Sequence, residues 1–120
     1  MRGFSTRVLP LLLALCGPAP AAEDADLRDL HRLSEILGAL SHLDGLCHGE
    51  TAGALWREKM SNVLGVEPGD ADRRRRLVSA FNRSRREFAA LYRRCTPNAE
   101  AIIDAYLAEG AELSTRLSAD

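Results

Sequence analysis

The sequence predicts an all-α fold: a compact, irregular four-helix bundle cross-linked by one disulfide. Apolar residues recur at three- and four-residue steps in four segments, and no segment alternates as a strand would. The connections between these segments are short, which is typical of antiparallel bundles. Two cysteines, Cys47 and Cys95, remain once an N-terminal leader is removed. An even number of cysteines in an exported domain favours a disulfide.

The N-terminus has the pattern of a removable export signal. Arg2 and Arg7 give a positive start, and Val8 to Cys16 is a short apolar run. Ala19-Pro20-Ala21 then offers the small-x-small pattern at which signal peptidases cut. We therefore expect a periplasmic or secreted protein.

The predicted division is a signal peptide over residues 1–21, a short tail over 22–26 and one helical domain over 27–118. The apolar run is shorter than the roughly 20 residues that cross a bilayer, so no transmembrane segment is expected in the mature chain. A lipoprotein anchored at Cys16 is the alternative, although the bulky Leu15 precedes that cysteine.

The first two helices follow from caps and periodicity. The first is predicted from about Leu27 to Leu46, with Asp26 as its N-cap and a leucine stripe along one side. Residues 48–51 are predicted as a loop. A second helix is expected over about 52–64, with Gly65 ending it.

The third and fourth helices are predicted to meet at a sharp corner. The third covers about 71–94 after a Pro68-Gly69-Asp70 turn, and the fourth begins with Thr96 as N-cap and Pro97 in the first turn and runs to about Leu117. The residues that we expect the third helix to bury are Val78, Phe81, Phe88 and Tyr92. A one-residue joint between these helices is too tight for a relaxed hairpin, so the bundle should be irregular.

Small residues form a seam beside the leucine stripe of the first helix, at Ser34, Gly38, Ser41 and Gly45. Such side chains let another helix approach closely. Intramolecular packing is the favoured interpretation, with Ala101, Ala105 and Ala108 of the fourth helix as candidate partners; a second copy of the chain is the alternative.

Cys47 and Cys95 are better explained as a disulfide than as metal ligands. They are predicted at the ends of the first and third helices, which lie at the same end of an up-down-up-down bundle. Zinc would need two further ligands, and adjacent Cys47 and His48 lack the usual spacing. His31 and His42, eleven residues apart, are separated by about 16 Å along a helix. We therefore expect no metal site and no cofactor.

A basic surface is the strongest candidate for a function. Six arginines of the third helix fall on two adjacent strips, and we call them the arginine face: Arg75, Arg76, Arg83, Arg86, Arg93 and Arg94. They could bind an acidic protein, a lipid headgroup or an envelope polymer. The favoured interpretation is nevertheless a solvated surface balanced by acids of neighbouring helices, such as Glu100, Asp104, Glu109 and Glu112. Nucleic acid is disfavoured because the protein is predicted to be exported.

Several strings together carry a family resemblance. They are Leu37-Gly38-Ala39-Leu40 with Leu46-Cys47, Trp56 with Met60, Phe81-Asn82-Arg83, and Tyr92-Arg93-Arg94-Cys95-Thr96-Pro97. The chain thereby resembles a group of short, signal-bearing alphaproteobacterial proteins of unknown function. Its members usually have Phe-Asn-x-Gly-Tyr-Arg, whereas this chain has Phe81-Asn82-Arg83-Ser84-Arg85-Arg86, which enlarges the basic surface. The resemblance implies export and a Cys47–Cys95 pairing, and it implies no activity.

The sequence thus favours a non-catalytic binding or envelope-associated accessory module, as a monomer or weak dimer. It contains no metalloprotease, nucleophile-elbow or phosphate-loop motif. The alternative is a periplasmic ligand carrier or enzyme with a pocket among the core aromatics Trp56, Phe81, Tyr92 and Tyr106.

Overall fold

The computed structural model describes residues 19–66 and 70–119, and within these ranges the all-α class is confirmed. Four helices follow one another along the chain: α1 (Ala19–His48), α2 (Glu50–Val66), α3 (Ala71–Leu91) and α4 (Pro97–Ser118). The predicted signal sequence lies outside the described residues as far as Pro18, as do Pro68 and Gly69 of the predicted turn.

Helix α1 is the centre of the molecule, and each of the other three helices packs against it. Seven of its apolar residues are buried: Leu30, Leu33, Ile36, Leu37, Ala39, Leu40 and Leu43. The outer helices complete the core with Met60, Leu77, Phe81, Ala99, Ile103 and Leu113. A helix that is apolar over more than one stripe must be covered on several sides. This explains why the bundle is arranged around one helix instead of as four equivalent ones.

The small-residue seam of α1 packs within the chain, but against α2 and α3. A Cβ added to Gly38 would lie 2.2 Å from the carbonyl oxygen of Phe81 in α3. A Cβ on Gly53 of α2 would lie 2.7 Å from the Ser41 carbonyl oxygen and 3.0 Å from Gly45 Cα. The expected partners on α4 were wrong, because Ala101, Ala105 and Ala108 are exposed.

Gly49 alone separates α1 from α2. Its φ of 104° lies in the left-handed region that glycine adopts readily, and its N–H donates to the Gly45 carbonyl at 3.0 Å. The four-residue loop predicted over 48–51 was therefore wrong. Helix α2 also continues past Gly65, and α1 begins before Asp26, which is an interior residue and not its N-cap.

Helix α3 begins as predicted but ends earlier. The Asp70 carboxylate caps it by accepting from the Arg73 N–H at 2.8 Å, and the helix stops at Leu91 instead of Arg94. The next carbonyl, that of Tyr92, accepts from His42 Nε2 of α1 at 2.7 Å. This contact anchors the chain where the helix ends. The connection to α4 is consequently five residues long, 92–96, and not a one-residue joint.

The buried side of α3 is rotated from the predicted one. Leu77 is fully buried, whereas Val78, expected in the core, is 38% exposed. The buried residues of the helix are Leu77, Ala80, Phe81 and Ser84. The Ser84 hydroxyl donates to the Glu35 carbonyl oxygen of α1 at 2.7 Å, so a polar residue is accommodated in this interface.

Helix α4 and the disulfide agree with the sequence. The Thr96 hydroxyl accepts from the Ala99 N–H at 3.1 Å, and Pro97 occupies the first helical position. Cys47 and Cys95 are joined with an S–S distance of 2.01 Å. Among the described residues, no helix combines the length and apolar character needed to cross a bilayer.

Candidate functional site

The arginine face lies on the outside of the bundle, and all six of its residues are exposed. At about 100° per residue, its four helical members fall within an arc of about 100° opposite the side of α3 that packs on α1. Arg93 and Arg94 extend the face past the end of the helix, in the connection to α4. They therefore do not continue the two helical strips that the sequence predicted.

Few carboxylates compensate this surface. Arg75 pairs with Asp72 one turn earlier in α3. Arg74, beside the face, donates to the Leu64 carbonyl oxygen near the end of α2 at 2.6 Å, so it caps a helix and does not pair with an acid. Within the described part of the chain, the other five members of the face form no ion pair: Arg76, Arg83, Arg86, Arg93 and Arg94.

The acids of α4 that could have balanced the arginine face are used elsewhere. Glu109 accepts from Arg32 of α1 at 2.7 and 2.9 Å, and this guanidinium holds the pKa of Glu109 below its ordinary value. Glu112 pairs with Arg116 at 3.1 Å, and Glu100 lies 3.2 Å from His48 Nε2. These three acids therefore pair with residues outside the arginine face.

The surface around the arginine face is open and partly apolar. A shallow, open depression of about 810 Å³ runs along α3, and its described lining residues all belong to that helix. Arg75, Arg76 and Arg86 line it together with Asn82 and the half-exposed Val78. At the other end of the helix, the Leu91 side chain is 72% exposed next to Arg93. The face thus presents guanidinium groups beside accessible apolar side chains.

A polar network connects three helices near the disulfide. His48 lies between two carboxylates: its Nδ1 is 2.5 Å from Asp44 Oδ1, and its Nε2 faces Glu100 of α4. The other Asp44 oxygen accepts from Trp56 Nε1 of α2 at 2.7 Å. The hydrogen bond to Asp44 and the charge of Glu100 raise the pKa of His48 above its ordinary value.

A second concave surface lies between α2 and α4, which pack on α1 without closing over it. We call it the α2–α4 groove; its volume is about 340 Å³. Its lining residues are Leu33, Ile36, Leu37, Leu40, Trp56, Lys59, Val63, Tyr106, Leu107, Gly110, Ala111 and Ser114. The floor is the leucine stripe of α1, and the walls carry one aromatic residue each.

The predicted aromatic pocket forms only in part. Trp56 and Tyr106 both line the α2–α4 groove, but Phe81 is buried between α1 and α3. Tyr92 stacks on Phe88 with ring centroids 6.4 Å apart, and Phe88 packs edge-on against Tyr106 at 5.8 Å. Phe81 therefore belongs to the interior, and the partly buried Tyr92 lies outside the α2–α4 groove.

The remaining candidate side chains have structural contacts. His31 Nδ1 lies 3.9 Å from Glu35, whose carboxylate is also 3.3 Å from Arg32. The hydroxyls of Ser34 and Ser41 donate to backbone carbonyls of their own helix. Glu100 approaches Cys47 and Cys95, but the two sulfurs are bonded to each other and offer no thiolate to a metal ion.

Sequence reasoning missed the contacts that depend on helix pairing. The four-residue spacing of Asp44 and His48 could have indicated one half of the network, because such pairs are neighbours on a helix. No local pattern could have placed Glu109 beside Arg32, which lies 77 residues away. The groove was likewise invisible, because it depends on which helices fail to touch.

These features define a small, disulfide-linked, all-α domain with a basic outer surface and an apolar groove. The chain belongs to the family described as "Protein of unknown function (DUF2385)", which matches residues 27–120. A family of unknown function is thus confirmed; the alphaproteobacterial origin and the motif pattern stay predictions. No curated protein and no solved structure matches the chain.

Proposed function

We propose that this protein is an exported, non-catalytic binding module that holds an anionic partner on its arginine face. The observation that carries the proposal is the lack of compensation on α3. Five exposed arginines of the face form no ion pair within the described residues. The α4 acids Glu109 and Glu112 do not compensate them, because they pair with Arg32 and Arg116. A cluster of like charges without counter-charges repels itself and is relieved by an anionic ligand.

The proposal includes export, so the partner should lie in the periplasm or outside the cell. The disulfide between Cys47 and Cys95 suits an oxidising environment. The charged start, apolar run and Ala19-Pro20-Ala21 pattern suit a cleaved leader. The protein then acts in the periplasm or outside the cell. Intact-mass measurement of the exported protein distinguishes a chain that begins at Ala22 from a lipidated one that begins at Cys16.

Binding is tested with three anionic probes that match the expected partner classes. These are phosphatidylglycerol vesicles, with phosphatidylcholine vesicles as the uncharged control, poly-glutamate, and lipopolysaccharide. The test variant replaces Arg83 and Arg86 by glutamine. The control variant replaces Arg28 and Arg57 by glutamine. These two exposed arginines lie on α1 and α2, so the control loses the same net charge outside the arginine face.

The native protein should bind at least one probe, and added salt should weaken the binding. Each arginine near an anionic surface contributes about 1 kcal/mol, so the double variant should bind roughly thirtyfold more weakly at low salt. The control variant should bind nearly as well as the native protein. Equal binding by the native protein and the Arg83/Arg86 variant would show that the face is only a solvated surface.

A further inference from the structure

The α2–α4 groove has the size and lining of a small-molecule site. Its volume of about 340 Å³ lies at the lower end of the roughly 300–1,000 Å³ range of such sites. Leu33, Ile36, Leu37 and Leu40 form its floor, and the Trp56 and Tyr106 side chains form opposite walls. No residue of α3 lines it among those that the structure describes, so it is a separate surface from the arginine face.

The lining carries one charged side chain, and that charge is positive. Lys59 lies on the α2 wall with its ammonium nitrogen 5.8 Å from the centre of the Trp56 ring. It is exposed, and within the described chain it forms no ion pair. Asp or Glu side chains are lacking among the described lining residues. An anion at the rim of the groove would therefore meet one unpaired cation.

The small residues of α4 keep the groove open. Gly110, Ala111 and Ser114 face it on the α4 side, where larger side chains would fill it. A Cβ on Gly110 would already be 3.5 Å from Ile36 Cγ2 of the floor. The indole N–H of Trp56 is held by Asp44, which fixes the ring on the opposite wall. The two walls are thus set apart by residues of defined size and position.

We propose that the α2–α4 groove binds a small amphipathic carboxylate, such as a medium-chain fatty acid. The hydrocarbon part would lie on the apolar floor between the Trp56 and Tyr106 side chains, which removes the ligand's own apolar surface from water. The carboxylate would pair with the Lys59 ammonium at the rim. This site is independent of the arginine face, so each can fail without the other.

The chain provides its own probe for this site. Trp56 is the single tryptophan and Lys59 the single lysine. The experiment titrates the disulfide-bonded protein with dodecanoate below its critical micelle concentration and follows Trp56 fluorescence. Dodecan-1-ol is the uncharged comparison. Isothermal titration calorimetry gives the stoichiometry, which should be one dodecanoate per chain.

Two matched pairs of variants locate the ligand. Lys59→Met removes the charge and keeps an apolar side chain, and its control is Arg57→Gln, whose guanidinium pairs with Glu50 outside the groove. Ala111→Phe fills the groove from α4, and its control is Ala108→Phe, at an exposed position that does not line the groove. Circular dichroism checks that each variant is folded.

Dodecanoate should give a saturable fluorescence change. Lys59→Met should weaken its binding about three- to fivefold, the size of one exposed ion pair, while Arg57→Gln leaves it unchanged. Ala111→Phe should abolish binding, and Ala108→Phe should not. A linear, non-saturating response, dodecan-1-ol binding as tightly as dodecanoate, or an unchanged affinity in the folded Lys59→Met variant would each overturn the proposal.

Discussion

Replacing Gly38 by alanine should destabilise the protein through the α1–α3 crossing. The new methyl group would lie 2.2 Å from the Phe81 carbonyl oxygen and 3.0 Å from its carbonyl carbon. These are backbone atoms in the middle of α3, so they cannot rotate away and the two helices must separate. Overpacking of this kind costs about 3 kcal/mol, at the upper end of the usual range. Alanine returns about 1 kcal/mol in helix propensity, so the net loss should be about 2 kcal/mol.

Gly65→Ala is the matched control for this experiment. Gly65 lies in the last turn of α2, and a Cβ there meets nothing within 4 Å. This variant should therefore be unchanged or more stable by roughly 0.5–1 kcal/mol. Urea unfolding followed by circular dichroism, with the disulfide intact, gives the free energy of unfolding of both variants. The close approach would be refuted if Gly38→Ala unfolded within about 0.5 kcal/mol of the native protein.

Other predictions concern the cross-links between helices. Replacing both Cys47 and Cys95 by serine should lower the free energy of unfolding by about 4 kcal/mol, because the unfolded chain loses a closed loop; a two-state urea titration measures this. An NMR titration should place the pKa of His48 above about 6.5. Since the pKa of His48 is raised in the folded state, its contribution to stability is present at low pH and is lost as the pH rises through that pKa. The free energy of unfolding of the His48→Gln variant should not show this decrease with pH. Arg32→Met should lower the free energy of unfolding by about 1 kcal/mol, because Glu109 loses its half-exposed ion-pair partner. Added salt should reduce this difference between the variant and the native protein.

The fold class could be predicted because local signals agreed with one another. Asp70 and Thr96 are cap residues in sequence and in structure, and the even number of cysteines predicted the disulfide. The errors arose where a tertiary contact decided the outcome. Helix α3 ends three residues before the predicted end, at the point where the Tyr92 carbonyl contacts His42 of α1. No pattern within residues 71–94 indicates this contact. Gly49, in a left-handed conformation, shortened a predicted four-residue loop to one residue.

The candidate surfaces were predictable to different degrees. The exposure of the four helical members of the arginine face follows from helical periodicity, so it could be predicted even though the buried side of α3 was assigned one residue out of phase. Whether its charges are compensated could not be predicted, because that depends on the ion pair that Glu109 forms with Arg32 of α1. The groove depends on the spacing of α2 and α4, which is set by their separate packing on α1 and has no signature in either helix.

The central position of α1 also determines how the molecule can open. The outer helices pack on α1 and meet one another only marginally within the described chain, so one of them can detach and leave the other two interfaces intact. We expect such a molecule to exchange its amide hydrogens helix by helix, with those of α1 last because every interface must break to release them. The disulfide holds the residues just before α4 to the end of α1, so we expect α4 to detach first at its C-terminal end. That movement would widen the α2–α4 groove while the arginine face keeps its shape.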